Sequence, residues 1–527
     1  MKKLIYILIL TTTIVSCVSL EEDPRSKISS ENFYKTESDA SAAVTAVYSK
    51  LTHNYTSVAY GLNNSGFPFL NRTPEITYGS ASDDYVTGPS APDPDFRANC
   101  GLYTNSSNAK VLELWRQNWE IINDANIAIY HIPKITGDTA TLNNYVREAK
   151  FLRALGYFYA VRLWGKIPLL TTPTESLSDN LTPAQADTSA IYAQIIKDFT
   201  DATALPNKRN TYHATSGAAH AFLLKVALTR RDWNEVVKQY NIINGLGLYA
   251  VSANYKDIFD PSKKDKEEHI FDAYFLADNT TGGLGNTNLM AKDNPPPYGY
   301  VKNGVKVNVK GGENPTANVT IRQYFKPNDQ RTSFTFIDSV KATSTATTYI
   351  VSAHYNKWNP ITWTPSLTSF QNSGVNIPVI RYAEVVLSYV EAQNELNNKA
   401  EAVTVFNNFR AKRSVTGKPL PKIISSVDKD NFRDSIFLER RIDFASENSV
   451  RWFDLVRQNG SGTSLIYKAI PQLIDPVLGN PTDYWCQTKA ANFALSLAKN
   501  PKKFLLWPIP LTELQANPNL VQNPGWE

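Results

Sequence analysis

Apolar residues recur at helical spacing in blocks that come as adjacent pairs, and this pairing restricts the fold more than any other feature of the chain. Within Thr215–Arg230, residues Ala218, Ala219, Phe222, Leu223 and Val226 form one stripe. Asp232 can cap a following helix that carries Trp233, Val236, Val237, Tyr240 and Ile243 and closes at Gly245. Two helices of about 14 residues joined by so tight a turn make an αα-hairpin. Val379–Leu396 followed by Lys399–Lys412 reads as another such pair. Further helical blocks are Asp39–Leu51, Val111–His131 and Leu142–Trp164, the last with Phe151, Leu152, Leu155, Phe158 and Arg162 on one face. Gly165 and Pro168 stop that helix in the expected order. Repeated hairpins of this size predict a mainly α scaffold with tetratricopeptide-like stacking.

Between the blocks the character changes. Residues 54–108 and 277–376 are rich in Asn, Thr, Gly, Pro and Tyr and show little helical period. Loops this long inside a compact protein are functional or disordered, and their aromatic content argues against disorder. The sequence therefore predicts a helical scaffold presenting long aromatic loops.

The amino terminus is a separate element. Met1-Lys2-Lys3 is a basic start, followed by the apolar run Leu4–Leu10 and a small, polar stretch ending Ile14-Val15-Ser16-Cys17. This is the pattern of a secretory signal peptide, and the apolar run is too short for a spanning helix, which needs about 20 residues. Cys17 after Val-Ser resembles the lipobox of bacterial lipoproteins, in which the thiol is acylated. Multiple acyl chains hold a protein firmly at about 0.8 kcal/mol per buried CH₂. Glu21-Glu22-Asp23-Pro24 resembles the acidic export tag of surface lipoproteins in Bacteroidetes, and reads equally as a solvated linker. Cys100 and Cys486 stand far apart in sequence, and whether they pair is left open.

Several longer stretches carry a family resemblance. Arg147-Glu148-Ala149-Lys150-Phe151-Leu152-Arg153-Ala154-Leu155-Gly156-Tyr157-Phe158-Tyr159 with Leu163-Trp164-Gly165-Lys166-Ile167-Pro168-Leu169 resembles the SusD/RagB signature. So do Ile377–Leu387 with Glu391-Ala392, Glu439–Phe444 with Arg451–Arg457, and the ending Trp507-Pro508-Ile509-Pro510 through Gln522-Asn523-Pro524-Gly525-Trp526. Two departures are visible: Asp443 stands where Glu is common, and 445–450 is one residue longer than the usual spacing. The resemblance implies a signal peptide over 1–16, a lipidated N-terminus and linker over 17–32, and a single SusD-like domain over 33–527. It implies a surface lipoprotein of a Bacteroidetes outer membrane, facing the exterior. Such a protein binds a nutrient, usually a glycan, as a lid over a SusC-like TonB-dependent transporter, and is not an enzyme. The RagB side of the family offers a peptide or protein ligand as the alternative.

The charged residues of the signature read mostly as scaffold. Glu439, Arg440, Arg441 and Asp454, like Arg381 and Glu384, have the spacing of intramolecular ion networks. Six scattered His residues show no metal-ligand spacing, and no GxSxG or phosphate loop is present. No cofactor or metal is expected. Asp83-Asp84 and Asp93-Pro94-Asp95 could be carboxylate pairs for glycoside hydrolysis or Ca²⁺ ligands, but nothing in the sequence gives the required separation or loop order. The net charge of +5, with no internal Lys/Arg block, argues against a nucleic-acid partner.

A sugar ring has an apolar face and a rim of hydroxyls, so its receptor needs flat aromatic platforms beside short polar side chains. The 78–105 stretch supplies Tyr78, Asp83, Asp84, Tyr85, Phe96, Arg97, Tyr103 and Asn105. The 277–305 stretch supplies Asn286, Asn288, Asn294, Tyr298 and Tyr300. Asp83, Asp84, Tyr85, Tyr103, Asn105, Tyr298 and Tyr300 are the expected ligand-binding residues; for each aromatic the alternative is burial beneath its own loop. Trp358 is read as structural. Shallow stacking leaves a modest affinity, with Kd of roughly 1 mM to 1 μM.

Overall fold

The chain is described from a computed structural model over residues 33–52, 55–56, 65–66, 69–86, 93–174, 181–210, 212–264, 266–276, 288, 290, 300–302, 305–307, 316–317, 319–342, 348–358, 373–474 and 483–527. The expected signal peptide over 1–16, Cys17 and the expected linker to residue 32 lie outside these residues. The scaffold is mostly helical, as the sequence predicts. Its main helices are α1 (Glu37–Thr52), α2 (Ala109–His131), α3 (Thr139–Trp164), α4 (Thr188–Ala202), α5 (Ser216–Arg230), α6 (Trp233–Gly245), α7 (Tyr382–Glu395), α8 (Lys399–Arg413), α9 (Lys429–Asp443), α10 (Val450–Val456) and α11 (Asp483–Lys499). Side-chain caps start several of them. Asp138 accepts from Thr141 N, Thr215 from Ala218 N, and Asp232 from Glu235 N, which satisfies backbone donors the first turn leaves open.

The hairpins α5–α6 and α7–α8 form as expected, and they meet through Tyr240 and Tyr389, stacked with centroids 3.8 Å apart. Phe151 of α3 is a hub for the first half of the core. Its ring meets Phe199 of α4 and Phe222 of α5 at 5.4 Å and Phe271 at 5.1 Å, all edge-on. Helix α4 is additional to the blocks read from sequence, although Ile191, Ile195, Phe199 and Ala202 carry the same helical stripe.

Two expectations are corrected. Ile377–Arg381 is a strand rather than the first turn of α7, and pairs antiparallel with β1 (His269–Ala273) in the register Ile377↔Ala273. Pro378 and the β-branched run around it favour extended backbone there. The 277–376 stretch, expected as irregular loop, contains a four-stranded antiparallel sheet. It is built from β2 (Tyr300–Lys302), β3 (Val305–Val307), β4 (Phe336–Ala342) and β5 (Thr348–Tyr355), in the order β5-β4-β2-β3; the strand Ile377–Arg381 is β6. β2 and β3 have three residues each, and β4 (FIDSVKA) and β5 (TYIVSAHY) do not alternate apolar and polar residues, so no period-2 signal stands out. Trp507 is buried, and its backbone N–H donates to Leu163 O at 2.6 Å, so the C-terminal segment packs its aromatic inward.

Beneath the helices runs a buried ion network. Asp443, at the end of α9, is reached by three guanidiniums: Arg381 at 2.6 Å, Arg413 at 2.8 Å and Arg331 at 2.9 Å. Arg413 also meets Glu268 at 2.7 Å, and Arg381 meets Glu268 at 2.5 Å and Glu447 at 2.8 Å. Burial disfavours the Asp443 carboxylate, but the arginines outweigh it and hold its pKa well below the usual range. A second network joins α7, α9 and α10. Asp454 lies 2.7 Å from Arg440 and 3.0 Å from Arg457, and Arg457 binds Glu391 through two bonds of 2.7 Å. The signature charges are therefore scaffold. Arg381 and Glu384 take different partners, because the chain turns from strand to helix between them; Glu384 pairs with Lys225 at 3.1 Å.

The one-residue-longer stretch sits inside this network. Ser446, Asn448 and Ser449 all have positive φ, at 61°, 43° and 53°. Each such residue costs roughly 1–3 kcal/mol and persists only where its surroundings fix it. Here Trp358 Nε1 donates to Ser446 O at 2.8 Å, Glu447 takes Arg381 and Lys357, and Asn448 Nδ2 donates to Tyr159 Oη at 2.8 Å. Ser449 N donates to Glu75 Oε1 at 3.1 Å. Burial pushes the Glu75 carboxyl up to about 7, with the nearby Tyr85 hydroxyl and the Ser449 N–H offsetting only part of the cost.

Removing Arg381 leaves Asp443, Glu268 and Glu447 buried with fewer cations. Arg381→Ala is expected to destabilise the fold by about 3–5 kcal/mol, read as a shift in the denaturant midpoint, and Arg381→Lys to recover only part of it. A carboxyl whose folded pKa is raised stabilises most below its unfolded pKa of about 4.5, and that stability is lost as pH rises through about 7. Between pH 5 and 8 the wild type should therefore lose roughly 3 kcal/mol more than Glu75→Gln, measured by urea unfolding at the two pH values.

Candidate functional site

The 78–105 stretch is held from behind by charge. Asp83 takes Arg451 through two bonds of 2.8 Å and lies 3.1 Å from Arg441, while Asp84 lies 2.6 Å from Arg441. Burial works against the Asp83 carboxylate, yet Arg441 and Arg451 together hold its pKa below the ordinary range. Lys489 of α11 donates to the carbonyls of Ser80 at 2.9 Å and Tyr85 at 3.1 Å, wrapping the segment around a buried ammonium. Tyr85 packs edge-on against Tyr355, whose hydroxyl donates to Asp84 O at 3.2 Å. Asp83, Asp84 and Tyr85 are 2%, 1% and 3% exposed. Their expected place in a ligand surface is thus corrected to a place in the scaffold: a carboxylate already shared by buried guanidiniums has no oxygen facing solvent. Tyr78, Phe96 and Asn288 are likewise buried, the last donating from Nδ2 to Val375 O at 2.8 Å.

From this root the chain builds outward. Asn99 Nδ2 donates to Ile76 O at 3.3 Å, and Ile76, Phe96 and Cys100 form a small apolar cluster. Cys100 Sγ lies 3.9 Å from Tyr85 O; the side chain of Cys486, on α11, is outside the described residues. The helix Pro94–Cys100 starts on an Asp93 cap and ends in a turn with two reversed bonds, Tyr103 N to Ala98 O at 3.0 Å and Leu102 N to Asn99 O at 3.3 Å. This is the Schellman pattern, which places the residue after the cap in the left-handed region and normally puts glycine there. Leu102 occupies it with φ 57°. Its side chain is buried, so the strain is retained in exchange for an apolar anchor, and the next residue is turned out to solvent.

That residue is Tyr103, 53% exposed. Its ring lies over Gly101: a Cβ there would sit 2.6 Å from Cε1, so only glycine lets the ring rest against the backbone. Asn492 Nδ2 of α11 donates to Gly101 O at 2.8 Å and Leu511 N to Ser106 O at 2.8 Å, fixing the turn on both sides. Asn105 is exposed beside it; its Oδ1 accepts from Ser107 N at 2.9 Å, which leaves the amide nitrogen as the outward end. Asn108 then caps α2 and ties back to Asp95 O and Asn99 Oδ1, each at 3.0 Å. The structure thus presents a flat aromatic with a short amide next to it on a rigid mount. Tyr298 lies outside the described residues. Tyr300 opens β2, but its side chain is not among those described. Gly101 and Leu102, which aim Tyr103, escape sequence reading because a left-handed leucine has no compositional signature.

Comparison with known proteins agrees with this architecture. The SusD family profile matches residues 253–526, and a second, described as "Starch-binding associating with outer membrane", matches residues 32–228. SusD-like proteins P38 and P25 of Formosa agariphila are 26% and 25% identical, each over 98% of this chain and 97% and 98% of their own length. Among solved structures, a laminarin-binding SusD-like protein superposes with a TM-score of 0.72 at 22% identity, covering 93% of this chain and 100% of its own. A SusD homologue from Bacteroides thetaiotaomicron gives 0.75 at 20% identity, covering 95% and 99%. With its helical hairpins, its signature charges buried in the scaffold and more than half its length matched, the chain belongs to the SusD/RagB family.

Proposed function

We propose that this protein is a surface lipoprotein, anchored through Cys17, that captures an oligosaccharide on its Tyr103 face. It then delivers the ligand as a lid to a SusC-like TonB-dependent outer-membrane transporter. The observation that carries the reading is the mount of Tyr103. A half-exposed aromatic held by a strained turn, beside an outward amide, matches the apolar face and hydroxyl rim of a pyranose. The family's glycan-binding members, among them the laminarin-binding neighbour, support the same ligand class. The association of the N-terminal family profile with the outer membrane supports the location. No helix among the described residues is long and apolar enough to cross a membrane.

Binding rather than catalysis is the role this geometry favours. The carboxylate pair Asp83-Asp84 is locked between buried arginines and has no open face for a water or a glycosidic oxygen. The handover to a barrel fits a modest affinity, because lid and transporter can hold one long ligand together.

Calorimetric titration of residues 18–527 against neutral and acidic oligosaccharides tests the reading. Tyr103→Ala should weaken binding about tenfold through lost stacking, with the fold intact. Gly101→Ala should weaken it similarly by displacing the ring, while Asp83→Asn should lower stability and leave the affinity of the folded protein unchanged. Silence across the glycans, with capture of peptides instead, would move the ligand to the RagB type.

A further inference from the structure

A cleft of about 310 Å³ opens between the first turns of α3 and the 206–215 segment, and none of its lining residues belongs to the Tyr103 face. At its base Glu148 Oε2 accepts from Tyr48 Oη at 2.8 Å and from His213 Nδ1 at 2.7 Å, while Tyr48 Oη accepts from Ala214 N at 2.7 Å. The Tyr48 and His213 rings meet edge-on at 4.8 Å. A carboxylate only accepts, so Nδ1 donates to Glu148, and the imidazole is held between that carboxylate and the Tyr48 ring with Nε2 as its remaining polar atom. The His213 side chain is nonetheless 42% exposed. A histidine held this firmly and still open to the cleft is arranged to meet a ligand.

The two amides on the walls are oriented by donors that cannot be reversed. Arg147 Nη1 donates to Asn144 Oδ1 at 3.0 Å, and the backbone N–H groups of Tyr212 and His213 donate to Asn210 Oδ1 at 3.2 and 3.3 Å. Each oxygen is therefore turned to its donor, and each amide nitrogen is the end that can serve a ligand. The Lys208 ammonium adds a third donor at the rim, and the half-buried Tyr145 supplies an aromatic wall. Three donor groups beside an imidazole nitrogen suit a carboxylate that also carries a hydroxyl.

We propose that this cleft is a second binding site, for a hydroxylated carboxylate of monosaccharide size. Asn144, Asn210 and Lys208 donate to the carboxylate, His213 Nε2 hydrogen-bonds to a hydroxyl, and Tyr145 packs against the carbon skeleton. The chemistry is shared by a hexuronate residue of an acidic glycan and by a small free hydroxy acid, and it does not depend on the Tyr103 face.

Calorimetric titration of the chain with galacturonate, galactose and malate separates the possibilities. Galacturonate should bind, galactose should bind at least about tenfold more weakly, and Lys208→Ala and Asn210→Ala should each weaken the acid about tenfold. Lys208 is exposed, so its removal leaves the fold intact. Tyr103→Ala should leave galacturonate binding at this cleft unchanged. Binding of malate with galacturonate silent would keep the site and assign it to free hydroxy acids. Equal affinity for galactose and galacturonate would overturn the proposal. So would failure of both acids to bind, or acid binding untouched by Lys208→Ala and Asn210→Ala.

Discussion

Asp443 shares its two oxygens among three buried guanidiniums, and the rest of the fold is arranged around that exchange. Arg331 comes from the short helix Gln330–Thr335, Arg381 from the end of β6, and Arg413 from the end of α8, so one carboxylate ties together segments from across the second half of the chain. Buried ions of this kind contribute little net stability compared with a well-packed apolar core, but breaking one is costly because a charge is stranded. They also demand specific geometry: a guanidinium satisfies two carboxylates only in a planar, forked arrangement. The network thus fixes the register between the β1–β6 ladder and α9, and it supports the left-handed turn at 446–449 that packed apolar groups alone would not enforce.

The same logic reaches the surface. Arg441 and Arg451 clamp Asp83 and Asp84, and Lys489 gathers the adjoining carbonyls. The small cluster of Ile76, Phe96 and Cys100 rests against that segment, and the Schellman turn at Leu102 follows it. Each step is shorter-ranged than the last. A buried ion pair sets a loop, the loop seats a helix, and the helix end turns one tyrosine outward. On the proposed reading, a tyrosine whose backbone is fixed this way lowers the ordering cost of binding.

The helical hairpins were legible because amphipathic periodicity is written over a dozen or more residues, as in Phe222 and Val226 of α5. The small sheet around β4 and β5 was not, since β2 and β3 have three residues each and β4 (FIDSVKA) and β5 (TYIVSAHY) do not alternate apolar and polar residues. Asp83 and Asp84 mislead for a related reason. A pair of carboxylates in a polar loop looks like a site, and their partners Arg441 and Arg451 stand some 360 positions away. Tyr103 and Asn105 were legible by type, but not the strained leucine and the bare glycine that present them. Sequence also cannot show that Arg381 and Glu384, three residues apart, face different networks once a strand ends between them.

Two surfaces of different chemistry follow from one scaffold, an aromatic one at Tyr103 and a donor-lined cleft at His213. The proposal is that the buried carboxylates, Asp83 and Asp84 among them, serve the fold while ligand recognition sits on exposed residues. A crystal structure of the chain with its best-binding oligosaccharide tests this most directly. The account predicts a sugar ring against Tyr103, with Asp83 and Asp84 still bound to Arg441 and Arg451. A sugar hydroxyl on either aspartate, with those ion pairs opened, would contradict it.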